Sequence, residues 1–233
     1  IEKKINLYAP DVLVRSFESF GKNIGSKNYI HRYVNKDTPF VNSQKDLAML
    51  FYRSVLVSGL VIKRELAIKF ATNKVDGTLY YQNYLIGMIS QKGTIYYLPD
   101  CLVHCRIIGY ADFGSSLTEK KGEWEPGKRT IESSIYQMKM FFQCASHLED
   151  DMGSEFLFYL KKIASAYSFT VLSYHRDKGL IKFLHYVNEL RKIGYSGMYF
   201  YIYISLLLLI GEKSTAKILD LLKRIFGKTP KLV

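Results

Sequence analysis

The side chains of this chain that could do chemistry are few, and most fall in one stretch. Ser58-Gly-Leu-Val-Ile-Lys-Arg-Glu65 is followed by Asp76-Gly-Thr-Leu-Tyr-Tyr-Gln-Asn-Tyr-Leu85, then by Tyr96-Tyr-Leu-Pro99, His104 and Arg106. Asp76 carries a carboxylate, but Asp-Gly is also a common turn pair. Gln82 cannot accept a proton at neutral pH. Its amide can hold a hydroxyl or a phosphate oxygen, or it can satisfy a buried backbone group. The acidic cluster Glu149-Asp150-Asp151 could ligate a divalent cation, although an acid run at a helix end is usually solvated surface. No phosphate-binding G-x-x-x-x-G-K-[ST], dinucleotide G-x-G-x-x-G, zincin H-E-x-x-H or hydrolase G-x-S-x-G occurs. The nucleotide-hydrolase, dinucleotide, zincin and serine-hydrolase classes are therefore unsupported. Three cysteines without a C-x-x-C pair argue against a disulfide framework or a zinc knuckle and fit a reducing cytoplasm.

The elements that must position these residues are read from periodicity. Val12, Leu13 and Val14, after Asp11, suit a short buried strand, and residues 21–28 read as loop. The apolar, β-branched run Val55–Ile62 predicts a buried strand, followed by a short helix ending near Phe70. Residues 71–77 form a polar loop. Thr78, Gln82, Leu85, Ile86 and Ile89 then fall on one helical face until Lys92-Gly93 stops it. Thr94–Leu98 predicts a strand ended by Pro99, and a further short strand covers Cys101–Arg106. The alternation is that of an α/β domain.

Between Gly109 and Arg129 no apolar period survives, so a loop of about twenty residues is expected, of a length usually functional. From Thr130 onward everything reads helical. Thr130 is the expected N-cap of a helix whose stripe is Ile131, Ile135, Met138, Phe142, Ala145 and Leu148. Ser154 is expected to cap a second helix, Leu180–Ile193 a third that stops at Gly194, and Ser214–Phe226 the last. The division expected is 1–108, a linker over 109–129, and a helical region over 130–233.

The segment Ser58–Glu65, the Asp76–Leu85 helix start and the Tyr96–Pro99 strand resemble the second half of the nucleotide-binding domain in family 2 glycosyltransferases of the GT-A fold. Phe113-Gly-Ser-Ser116, Pro126-Gly-Lys-Arg-Thr130, Ser133-Ser134, residues 164–178 and Gly227-Lys-Thr-Pro-Lys-Leu232 are similar to a bacterial subgroup associated with surface polysaccharides. The resemblance covers about Ser54 to the end. It implies the rear half of a GT-A (Rossmann-like) domain followed by an all-helical C-terminal appendix. It also implies transfer of a sugar from a nucleotide-sugar donor to a glycan acceptor, a lipid-linked one, at the cytoplasmic face of the cell membrane.

In that family an acidic pair at the helix start often supplies the base that deprotonates the acceptor hydroxyl. The matching positions here are Tyr81 and Gln82, so either Asp76 is the base or the base lies outside this chain. Gln82 and Tyr81 are expected to hold substrate. His104 and Arg106 offer a neutral donor and a fixed cation to the diphosphate, or are a packed half-exposed side chain and a surface charge. The family's donor half, with a D-x-D motif holding Mg or Mn, has no counterpart in the first fifty residues. The start at Ile1 rather than Met also reads as part of a longer protein. This chain is expected to be inactive by itself, with the metal ligands elsewhere.

Charge adds a partner class. There are 33 Lys and Arg against 21 Asp and Glu, a net charge of +12, with 19 tyrosines. From Lys161 to the end, thirteen basic residues face four acids, so this last third carries +9 of the total. It adjoins nineteen uncharged residues between Lys192 and Glu212, which include the thirteen-residue apolar run Met198–Ile210. A spanning helix wants ~20 apolar residues. The alternatives are contact with an anionic bilayer surface and ordinary packing of helices on one another. A basic nucleic-acid-binding protein or a non-catalytic membrane-surface protein are the competing function classes. Nucleic acid ranks lower, because the charge adjoins an apolar run instead of interleaving with aromatics.

Overall fold

The computed structural model describes residues 1–20, 29–31, 33–55, 57–106 and 130–226. The expected loops over 21–28 and 109–129 lie outside these residues, as does the tail from Gly227. The fold is mixed α/β. A five-stranded mixed sheet is built from β1 (Val12–Phe20), β2 (Tyr29–His31), β3 (Thr38–Pro39), β4 (Leu60–Ile62) and β5 (Ile95–Arg106). Its centre is the parallel pair β1 and β5, with Val12 opposite Ile95 and Glu18 opposite His104. On the other flank of β1, β4 lies antiparallel along Val12–Val14 and β2 along Phe17–Ser19. The short β3 covers only Tyr96 and Tyr97 of the outer flank of β5.

Side-chain alternation sorts this sheet into two faces. Val12, Val14, Ile95 and Tyr97 pack with Leu50 of α2 (Gln44–Arg53) and with Ile86 and Ile89 of α4 (Tyr81–Ser90). The opposite face buries Leu13 and Leu98 and stacks Tyr96 on Tyr8 of α1 (Glu2–Tyr8), ring centroids 4.4 Å apart. Lys4 and Tyr8 both engage Asp37, whose carboxyl is held below its usual range by those two hydrogen bonds.

Helices α2 and α4 have a second apolar side, and it carries the rest of the molecule. Leu47, Ala48 and Phe51, with Val75, Tyr80 and Tyr84, belong to one continuous core with α5 (Ile131–Ser146), α7 (Glu155–Ala166), α9 (Leu180–Ile193) and α10 (Met198–Phe226). The order of layers is thus sheet, then α2 with α4, then the helices after Thr130. Gly87 permits the close approach: a Cβ there would stand 2.6 Å from Leu148 Cδ1 and 2.9 Å from Met152 Cε.

Local signals account for much of this. Thr130 accepts from the Ser133 amide and its own amide donates to Ser133 Oγ, both at 3.0 Å, a capping box that starts α5. The expected stripe is inward, with Ile131, Ile135, Phe142, Ala145 and Leu148 all buried. Gly194, at φ 118°, ends α9 where the Gly rule places the stop. Ser43 caps α2 by accepting from the Asp46 amide.

Three expectations are corrected. Val55–Ile62 is not one buried strand: residues 57–59 form a 3₁₀ turn, only Leu60–Ile62 is strand, and Val55 and Val57 are 41% and 57% exposed. The connection from α2 back to the sheet consumes the first half of the run, and β4 sits at a flank. Pro99 does not end its strand either, since β5 continues to Arg106. The register against β1 shifts between Arg15 and Phe17, so Leu98 and Val103 are successive partners and Pro99 falls in a bulge that asks for no amide donor. Ser154 occupies the N-cap of α7 with αR backbone and no side-chain cap bond.

Helices α1 and α2, the short α6 (Glu149–Met152) and α8 (Phe169–Arg176) are additions to the expected list. Gly211 (φ 76°, ψ 175°) breaks α10, so the apolar run 198–210 and the amphipathic stretch after it are two helical arms meeting at that residue. Among the described residues no helix is long and apolar enough to cross a membrane.

Glu212 follows the break. Partial burial and the neighbouring Asp177 carboxylate hold its carboxyl above the usual range. A raised carboxyl stabilises the fold in its protonated form, an effect complete below the unfolded value and lost as pH rises through the folded one. Glu212→Gln should therefore raise Tm at pH 7 by roughly 1–2 °C after solvent screening is allowed for. The difference from wild type should vanish in scans below about pH 4.

Candidate functional site

In open α/β sheets, ligands lie outside the carboxyl ends of parallel strands. At that edge of β1 and β5 the chain gathers the turn after α2, the start of α4 and the distal halves of both strands. Arg15, on β1, donates through Nη2 to the Ser58 carbonyl at 2.6 Å and so ties the Ser58-Gly59 turn to the sheet. Its Nε is buried without a hydrogen-bond partner among the described residues. Arg53, at the end of α2, lies over the rings of Tyr33 and Tyr97 at 5.1 and 5.4 Å.

Gln82 donates from Nε2 to the Val55 carbonyl at 3.1 Å. Of the two roles open to it, holding backbone is the one made here, and it fastens the start of α4 to the turn that carries Ser58. The amide oxygen has no partner among the described residues. Tyr81 is half-buried and its hydroxyl accepts from the Thr72 amide at 3.1 Å, so it pins the loop before α4. Asp76 is exposed in that loop, beside Gly77 at φ 78°, and makes no side-chain hydrogen bond among the described residues. The turn is built by backbone and hydroxyl bonds instead, including Thr78 to Val75.

His104 sits on β5 with Nδ1 3.3 Å from Glu18 Oε2 on the adjacent β1. His104 is about half exposed and Glu18 largely covered, so the carboxylate orients a part-exposed imidazole through Nδ1. Arg106 ends β5, and its side chain lies outside the described residues. The structure therefore brings Gln82 to the Ser58 turn and His104 to Glu18. Tyr81 and Asp76 remain in the loop that leads into α4, with no contact joining them to His104.

Glu18 and Arg15 were not among the expected site residues. Nothing local marks them, because their partners stand 86 and 43 positions away and only strand register creates the pairs. Asn83 is the other addition. It is fully buried next to Gln82, and its Nδ2 donates to the Phe51 carbonyl at 2.6 Å. Asn83→Ala should cost about 1–2 kcal/mol in a urea melt, through loss of that bond between α4 and the end of α2.

Among the described residues no three or more His, Cys, Asp and Glu side chains gather as a metal site, Glu149-Asp150-Asp151 included. The resemblance assigns the ligands of its Mg or Mn to the donor half, not to these residues. No family model, no curated protein and no solved structure matches the chain. What fold and site define together is a mixed α/β protein with a polar edge of Arg, Gln, Glu and His at the ends of its parallel strands.

Proposed function

We propose that this chain is the acceptor-side part of a family 2 glycosyltransferase of the GT-A type. It works with a donor-binding half not contained in these residues, and transfers a sugar from a nucleotide-sugar to a lipid-linked glycan at the cytoplasmic membrane face. The observation that carries this reading is the coupling of three segments. Arg15 holds the Ser58-Gly59 turn, and Gln82 holds the same connection to the start of α4, at the carboxyl ends of β1 and β5. Two of the three, the Ser58 turn and the start of α4, are segments on which the resemblance rests.

Transfer requires a hydroxyl placed for attack at the anomeric carbon, removal of its proton, and neutralisation of the departing diphosphate. Asp76, exposed and without a competing hydrogen bond, takes the proton. The oxygen of the Gln82 amide accepts from a neighbouring hydroxyl of the acceptor sugar and so places the attacking one, and Tyr81 fixes the loop before α4. His104, oriented by Glu18, is the donor assigned to the diphosphate, and Arg106, the last residue of β5, is the cation assigned to it. The test is incubation of the full-length protein with a membrane fraction, Mg or Mn and a panel of radiolabelled nucleotide-sugars. Label is expected in the lipid-extractable glycan from at least one of them. No transfer from any sugar, together with no binding of nucleoside diphosphates, would overturn the proposal.

A further inference from the structure

The sheet edge leaves one surface unexplained, at the opposite extreme of the chain. At the start of α9, Leu180, Ile181 and Leu184 are 53%, 84% and 46% exposed, and just before the break in α10, Leu209 and Ile210 are 81% and 41% exposed. Two anchors bring these stretches together. Arg176, at the end of α8, donates from Nε to the Leu207 carbonyl at 2.7 Å while its guanidinium lies over Phe183. Asp177, which follows, lies against Glu212. The end of the apolar arm of α10 and the start of α9 are thus both tied to the end of α8.

Exposed lysines adjoin these apolar residues along the chain: Lys178 and Lys182 on one arm, Lys213 and Lys217 on the other. Asp177 and Glu212 lie against each other. Exposed leucine and isoleucine flanked by lysine is the pattern of an interfacial surface, in which apolar side chains enter the acyl boundary and ammonium groups meet acidic headgroups. Gly211 makes the break in α10 possible. With φ 76° and no Cβ contact to restrain it, it turns the chain so that the apolar arm ends at the surface rather than continuing as one straight helix.

We infer that the apex formed by the start of α9 and the break in α10 docks on an anionic lipid bilayer. This deepens the membrane-face reading above but does not depend on sugar transfer. Flotation of the full chain with vesicles needs no catalysis, so loss of either result leaves the other intact. Vesicles of phosphatidylcholine alone should bind weakly, and vesicles containing roughly one-third phosphatidylglycerol at least about tenfold more tightly, an advantage that high salt removes. The double variant Ile181→Asp, Leu209→Asp should lower anionic-vesicle binding by about tenfold or more. Ile68→Asp, at a position 65% exposed on α3 (Arg64–Lys69), should leave it within about twofold of wild type.

Circular dichroism of both variants separates docking from folding, since all three positions are exposed. Equal binding to neutral and acidic vesicles, no binding to either, or full binding by the double variant overturns the inference. So does a vesicle-indifferent dimer that the double variant dissociates, because the apex would then be covered by a second copy of the chain.

Discussion

Phe156→Ala is expected to destabilise the protein by about 3–5 kcal/mol, a large share of the roughly 5–15 kcal/mol available to an ordinary fold. The ring is completely buried and meets Phe51 edge-on at 5.7 Å, and Phe51 meets Phe141 at 5.1 Å. Phe156 belongs to α7, Phe51 to α2 and Phe141 to α5, so the cavity opens where the helical layer rests on the layer that covers the sheet. Because that core is continuous, denaturant should still unfold the variant in one transition, with the midpoint lowered and the slope unchanged. A second, separate transition, with the sheet unaffected, would instead mark the helices after Thr130 as an independently folding unit. Phe158→Ala provides the comparison. That ring is 61% exposed, and its loss should cost less than about 1 kcal/mol.

On the proposed glycosyltransferase reading, Asp76→Asn in the full-length protein is expected to lower kcat by about 100-fold or more, with KM for the nucleotide-sugar little changed. Removing a general base affects the step in which the acceptor hydroxyl loses its proton and leaves donor binding alone. Asn keeps the size and turn preference of Asp, and the carboxylate makes no side-chain bond among the described residues that the change would break. Folding, checked by circular dichroism, should be unchanged. Gln82→Ala should act differently. It releases the Val55 carbonyl, loosens the start of α4 against the Ser58 turn and raises KM for the acceptor by about tenfold, with a smaller effect on kcat. Unchanged turnover in Asp76→Asn would remove that residue from the chemistry and put the base elsewhere in the protein.

What could be read directly from the residues was whatever a few neighbours decide among themselves. The capping box at Thr130, the stop at Gly194 and the stripe along α5 are interactions within one or two helical turns, so order along the chain carries them. The same holds for the buried strand at Val12–Val14 and for the concentration of positive charge after Lys161. The helix α2 was legible in principle from Ser43 and Asp46, three residues apart as an N-cap requires. Tertiary structure alone decided the rest. Val55 and Val57 look like core residues but lie on a surface connection, because burial depends on what the neighbouring element covers. Pro99 remains within a strand because a bulge across from Arg15 and Phe17 removes the need for its amide. Glu18 and His104, or Arg15 and Ser58, become partners only through the register of strands and turns far apart in sequence. Capping and periodicity are local energies, whereas register, burial and the pairing of charges are sums over residues that only the folded chain brings together.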